Sequence, residues 1–111
     1  MEVRLVALLA SFIGTSADYS LARLEFATRH PALAAPPTID RLPDASEATL
    51  RTRWPQIEAQ LEAALAFTKQ LEAAPGSVGA DDTTAGWLRR TLQELDQHAR
   101  AIRWVLTVDE R

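Results

Sequence analysis

The sequence contains no cysteine, which excludes disulfides, thiolate metal sites and cysteine nucleophiles from residues 1–111. It also lacks an excess of positive charge. The formal net charge is -3 at pH 7, which argues against a non-specific nucleic-acid surface, because counterion release from phosphates needs clustered basic groups. Walker loops, glycine-rich dinucleotide turns and a Ser-His-Asp order are absent as well. No motif predicts a chemistry, and we expect a non-catalytic protein without a cofactor.

Arginine and alanine dominate what is present. Eleven of the twelve basic residues are Arg, and twenty residues are Ala. This skew is typical of codon usage in a GC-rich bacterial genome, so we do not interpret the arginines as phosphate ligands. The length of 111 residues and the hydrophobic content of 47% predict one globular domain, which spans the whole chain.

The chain is organised around a first helix, expected from Val3 to Arg29, that is apolar on almost every side. We expect it to continue through Gly14, whereas a break there would give the bundle a fourth helix. Its only polar line consists of residues spaced seven apart, namely Arg4, Ser11, Asp18 and Glu25. Its expected core line is Leu5, Leu8, Phe12, Thr15, Tyr19, Ala22 and Phe26.

Two further helices follow a linker at 31–43, which holds four of the six prolines. We expect the second helix to start with a capping box of Asp44 and Glu47 and to end near 74–76. Pro55 lies inside it and should kink the helix near Arg51 or restart it at Trp54, and we expect a bend there. Its expected core line is Leu50, Trp54, Ile57, Leu61, Ala64, Thr68 and Leu71. The third helix, from about 82–84 to Val108, has the core line Leu88, Leu92, Leu95, Ala99, Ile102 and Leu106. The fold class is all-α, an up-down bundle of three long helices.

Helix direction across the linker stays open, because the linker is long enough to join antiparallel helices or to run back and start a parallel one. Two ordinary amphipathic helices cover about two thirds of the first helix's circumference. The rest would be an exposed apolar patch, which soluble monomers seldom tolerate at several hundred Å². We therefore expect a homodimer or higher oligomer with the first helix in its interface.

A candidate ligand site lies on the first helix. Arg23 faces its apolar side, with Tyr19 one turn earlier and His30 seven residues later. A guanidinium in that position needs a partner, because an unpaired buried charge costs several kcal/mol. One interpretation is an anion-binding pocket formed by Tyr19, Arg23 and His30. The other is a structural ion pair, between subunits or between helices, that joins Arg23 to Glu58, Glu62 or Glu94.

Arg23 and His30 also form an Arg-x6-His spacing. This is similar to the Arg-x4-6-His motif of HEPN ribonucleases, which are helical bundles that place the pair at a dimer interface to cleave RNA. The resemblance covers these two residues, and it departs from the family because the motif there belongs to a later helix. It implies proton transfer by His30 and phosphate stabilisation by Arg23, without a metal.

A candidate partner-binding surface lies on the third helix. Trp104 points away from the core line, and an exposed Trp beside Arg is the composition of a binding hot spot. We expect Arg100, one turn earlier, to stack on the indole, with Gln93 and Gln97 on the same face. The alternative is a Trp that neighbouring side chains shield from solvent.

Metal and membrane binding are not expected. Neither histidine has an acidic residue three positions earlier, as a di-metal carboxylate bundle requires. The apolar run from Leu5 to Gly14 resembles a signal peptide, but Glu2 offsets Arg4 and the apolar periodicity continues past the cleavage site. The run is also shorter than the twenty or so residues that a bilayer needs. We expect a cytoplasmic protein.

Overall fold

The computed structural model describes residues 3–42, 47–73 and 82–109, and apart from 30–42 and Asp82 all of them are helical. The helices are α1 (Val3–Arg29), α2 (Glu47–Ala73) and α3 (Thr83–Asp109). Each has 27 residues and is therefore about 40 Å long. The overall dimensions of 48 × 22 × 20 Å are those of a rod whose helices lie along its long axis. The all-α prediction is confirmed.

The first and last helices form the closest pair and run in opposite directions. His30, directly after α1, contacts Asp82 at the start of α3, whereas Arg4 near the start of α1 lies over Trp104 near the end of α3. The α2 helix runs parallel to α1, because Phe12 packs on Trp54 and Phe26 packs on Phe67. An alternating up-down order is therefore not confirmed.

The linker fills the space between α1 and α2. No Cα atom of α1 lies within 8 Å of one in α2, so aromatic side chains and the linker connect the two helices. Ile39 and Leu42 of the linker are buried in the core. The backbone N–H of Asp40 donates to Oε1 of Gln60 at 2.8 Å, and Nε2 of Gln56 donates to Oδ2 of Asp40 at 2.8 Å. The linker therefore runs back along the rod to start a parallel helix.

Core burial follows the heptad lines closely. The predicted lines of α1, α2 and α3 are buried, apart from Leu8 and Leu71, which are partly buried. On α1, Leu9 occupies the core more completely than Leu8. Four further residues of α1 and α3 are buried beside these lines: Ser16, Thr84, Thr91 and Val105.

Two helix interruptions considered from the sequence do not occur. The α1 helix is continuous through Gly14 and does not divide into two helices. A Cβ placed on Gly14 would have nothing within 4 Å among the described residues. The α2 helix does not restart at Trp54 and contains Pro55 in its interior. The expected bend at Pro55 stays a prediction. Asp44 and the helix end at 74–76 lie outside the described residues.

Candidate interaction surfaces

Tyr19 and Arg23 hold the linker against α1. The hydroxyl of Tyr19 donates to the carbonyl of Pro37 at 2.6 Å, and Nε of Arg23 donates to the carbonyl of Pro36 at 2.6 Å. Tyr19 is buried, and burial raises its pKa to about 12, an effect that the nearby charge of Arg23 partly offsets. The prolines supply two carbonyls that no local backbone N–H satisfies, and these side chains supply the donors.

His30 connects the end of α1 to the start of α3. Its Nε2 lies 2.7 Å from Oδ2 of Asp82. Asp82 is the N-cap of α3, because its Oδ1 accepts from the backbone N–H of Ala85 at 3.0 Å. The hydrogen bond from the Thr84 hydroxyl, together with those from Ala85 and His30, holds the pKa of the Asp82 carboxyl well below its usual range despite burial.

The three residues predicted to bind a ligand therefore bond to two different parts of the chain. Tyr19 and Arg23 act together on adjacent linker carbonyls, whereas His30 contacts α3. Within the described chain Arg23 bonds to a carbonyl and forms no ion pair with Glu58, Glu62 or Glu94, so the interhelix ion pair is wrong, whereas an ion pair between subunits stays a prediction. Of the three glutamates considered, Glu58 instead pairs with Arg103 at 3.0 Å.

Trp104 is exposed, as the helical spacing predicted, with 57% of its surface accessible. The expected stacking of Arg100 on it is wrong. Arg100 forms an ion pair with Asp96 one turn earlier at 3.0 Å, and the guanidinium of Arg4 from α1 lies 5.2 Å from the indole centroid. Gln93 and Gln97 are exposed on α3. The Trp104 surface therefore includes a residue from the first helix.

Apolar residues also remain exposed on the side of α1 that faces away from the core. Leu24 is 60% exposed, Leu21 55%, Val6 44% and Ile13 38%. Three of these residues, Val6, Ile13 and Leu24, belong to a second line of residues spaced alternately four and three apart along α1. This spacing places the members of the line on one helical face. We call this face the outer stripe, and its members are Val6, Ala10, Ile13, Ala17, Ser20 and Leu24. The helix is therefore not buried all round within one chain.

The outer stripe continues onto α3 through an open groove. This groove has a volume of about 440 Å³ and lies between Leu21 and Leu24 of α1 and Trp87 and Arg90 of α3. At the opposite end of α1, Arg4 connects the same helix to Trp104. The groove therefore joins the outer stripe to α3 at one end of the rod, and Arg4 joins α1 to Trp104 at the other end.

Sequence reasoning missed several residues of these surfaces. The residues of the outer stripe form a second heptad line in the sequence of α1, separate from the core line, and this second line would have predicted them. Leu21 of α1 and Trp87 of α3 line the same groove, and Asp82 bonds to His30 across more than fifty residues of sequence. No local pattern predicts such pairs, because they depend on the relative direction of the helices.

The α1 helix also meets the length and composition criteria for a membrane span. The 26 residues from Arg4 to Arg29 have a mean hydropathy of 1.4 over their most apolar stretch. The expectation that the apolar segment is too short to span a bilayer is therefore wrong, because the apolar segment continues past Gly14. The core helix of a soluble protein and a signal sequence pass the same criteria, and the cytoplasmic location stays a prediction.

The described residues thus define an all-α fold that exposes apolar residues on α1 and Trp104 on α3. Within the described ranges, no group of three or more His, Asp or Glu residues is placed to hold a metal ion. Comparison with protein-family models, with curated proteins and with solved structures found no significant match.

Proposed function

We propose that this protein is a non-catalytic helical interaction module, acting as an adaptor, chaperone or regulatory subunit. It self-associates through the outer stripe of α1 and offers the Trp104 surface to a protein partner. The observation that supports this proposal is the exposure of Val6, Ile13, Leu21 and Leu24 in a single chain. Large apolar residues on one face mark an interaction surface, whereas scattered single ones do not.

Charge substitution on the outer stripe tests self-association. Leu24→Glu removes an exposed apolar contact, so the free energy of unfolding of the monomer should change by less than about 0.5 kcal/mol. The dissociation constant of self-association should rise by about tenfold or more, measured by sedimentation equilibrium at micromolar concentrations. Ala59→Glu, an exposed site on α2, is the matched control and should leave association unchanged.

Sedimentation of the unmodified chain gives the outcome that contradicts the proposal. A wild-type protein that stays monomeric across the micromolar range would show that the outer stripe has no second copy to cover it. Equal weakening by Leu24→Glu and Ala59→Glu would show that association uses another surface.

The Trp104 surface is tested separately. Trp104→Ala should abolish recovery of a protein partner in a pull-down, because an exposed Trp beside Arg4 is typical of a binding hot spot. Its exposure predicts that the fold tolerates the substitution. Gln70→Ala on the exposed face of α2 is the control. Undiminished recovery with Trp104→Ala would remove this part of the proposal.

The alternative is an anion-binding or HEPN-like ribonuclease activity centred on Arg23 and His30, with Tyr19 as a hydrogen-bonding group. It is supported by residue spacing, and each of the three side chains already has a partner within the chain. Incubation with RNA separates the two functions. Cleavage that Arg23→Ala and His30→Ala both abolish in folded protein would favour the alternative.

A further inference from the structure

The linker and α2 lie between two residues that are bonded to each other. His30 directly precedes the linker and Asp82 directly precedes α3, and Nε2 of His30 lies 2.7 Å from Oδ2 of Asp82. This bond joins the end of α1 to the start of α3 without using the linker or α2. Movement of the linker and α2 away from the rod therefore does not require α1 and α3 to separate at this end.

The α1 and α3 helices also hold each other directly along the rod. Their Cα atoms approach within 8 Å, whereas no Cα atom of α1 lies within 8 Å of one in α2. Nη1 of Arg29 donates to Oγ1 of Thr83 at 3.5 Å near the His30 end, and Arg4 lies over Trp104 at the opposite end. The pair is therefore connected at both ends by contacts that involve neither the linker nor α2.

The linker is anchored by one edge. Burial along it recurs at every third residue, because Leu33 is partly buried and Pro36, Ile39 and Leu42 are buried. A period of three residues is that of a polyproline II helix, which has no internal hydrogen bonds. No backbone–backbone hydrogen bond joins residues 34–42 to another described residue. The linker therefore has no secondary-structure bonds that would hold it once this edge leaves the core.

Side chains of both neighbouring helices hold the linker backbone. Tyr19 and Arg23 of α1 donate to two linker carbonyls, and Gln60 of α2 accepts from the backbone N–H of Asp40. Departure of the linker breaks its bonds to α1 and α2 together. Elements that lose their contacts together open as one cooperative unit.

The polar attachments between α2 and α3 are weaker. Glu58 pairs with Arg103 at 3.0 Å and Glu72 pairs with Arg89 at 3.5 Å, and both pairs lie at the surface. Ion pairs at the surface contribute little to stability. The bond between Gln60 and the linker is by contrast part-buried. The attachment of α2 therefore depends on its apolar packing and on the linker.

We propose that the linker and α2 form a lid that opens as one unit while α1 and α3 stay paired, with the bond between His30 and Asp82 intact at its base. The linker acts as the latch. Opening uncovers the face of α1 that carries Phe12, Tyr19 and Phe26, each of which contacts the linker or α2. The lid controls access to this aromatic face, and it does not depend on the self-association proposed above.

Hydrogen exchange of the full chain at several urea concentrations below the unfolding transition tests the lid. The amides of α2 and the N–H of Asp40 should exchange at least about tenfold faster than the slowest amides of α1 and α3. They should also share one urea dependence, shallower than that of global unfolding, because opening the lid exposes less surface. Equal rates and equal urea dependence for the slowest amides of all three helices would overturn the proposal.

Two variants separate opening of the lid from general loosening. Tyr19→Phe removes a latch bond that is absent from both the open and the unfolded state, so the slowest amides of all three helices should exchange about fivefold faster. His30→Ala removes a bond that the open state keeps. The slowest amides of α1 and α3 should then exchange about tenfold faster, whereas those of α2 and Asp40 should change by less than about twofold.

The response to His30→Ala decides between the two kinds of opening. Equal acceleration of the α2 amides and of the α1 and α3 amides would show that the first and last helices separate whenever α2 opens, and it would overturn the proposal. Gln70→Ala, at an exposed position of α2, is the control and should leave the exchange of all three helices unchanged.

Discussion

Removing the Arg23 side chain should loosen the linker and destabilise the whole domain. Its Nε donates to the buried carbonyl of Pro36 at 2.6 Å, and Arg23→Ala leaves that carbonyl without its donor. A hydrogen bond from a charged group contributes about 1.5–3 kcal/mol. We therefore expect the free energy of unfolding to fall by about 2 kcal/mol, which corresponds to roughly 10 °C in the melting temperature of a domain of this size.

Urea denaturation followed by circular dichroism measures this loss, and two variants serve as comparisons. Tyr19→Phe removes the neighbouring hydrogen bond to Pro37 and should cost about 1 kcal/mol. The double variant should be less destabilised than the sum of the singles, because both side chains hold one segment. Arg29→Ala, whose contact with Thr83 is long at 3.5 Å and exposed, should cost less than about 0.5 kcal/mol.

Hydrogen exchange locates the effect of Arg23→Ala within the molecule. The N–H of Asp40 bonds to Gln60 only while the linker lies in place, so its protection should decrease in the variant. If stability changes by less than about 0.5 kcal/mol and the protection of Asp40 is unchanged, Arg23 does not hold the linker against α1. That outcome would also strengthen the anion-binding alternative, in which Arg23 is dispensable for folding.

Three further substitutions test other features of the fold by the same denaturation measurement. Gly14→Ala should stabilise the monomer by about 0.5–1 kcal/mol, because the added Cβ meets nothing within 4 Å, and a destabilised monomer would contradict this. Ser16→Ala should be neutral or stabilising by up to about 1 kcal/mol, because the buried Ser16 hydroxyl has no hydrogen-bond partner among the described residues; a clear loss would reveal one. Asp82→Ala should cost about 1–2 kcal/mol at neutral pH. Because the folded-state pKa of Asp82 is lowered, its contribution is present above about pH 4 and declines as the pH falls below that value. A difference between wild type and Asp82→Ala that grows on acidification would contradict this assignment.

Helix boundaries and core lines could be predicted from the sequence because heptad spacing is a local property. Phe12, Tyr19 and Phe26 repeat at seven-residue intervals, and all three are buried. The same rule placed Trp104 outside the core, where the structure has it. Continuity through Gly14 was also predictable, because the register on either side of it is unchanged.

The partners of the candidate site residues could not be predicted, because they depend on the path of the linker. Both interpretations of Arg23 gave it an anionic partner, but prolines in an extended segment leave carbonyls that also accept hydrogen bonds. Arg4 reaches Trp104 because α1 and α3 are antiparallel, which the sequence left open. The ion pair of Arg100 with Asp96, in contrast, could have been predicted from the sequence, because the two residues lie four apart on one helix.

The pairing of the first helix with the last has a consequence for biosynthesis. When α1 has been translated, roughly eighty residues remain before the end of α3, or about 4–16 s at typical synthesis rates. During that interval the core face of α1 lacks the cover that α3 provides in the folded chain, while its outer stripe is exposed as well. The nascent chain is therefore a candidate client for co-translational chaperones, and slow codons before α3 would lengthen its exposure.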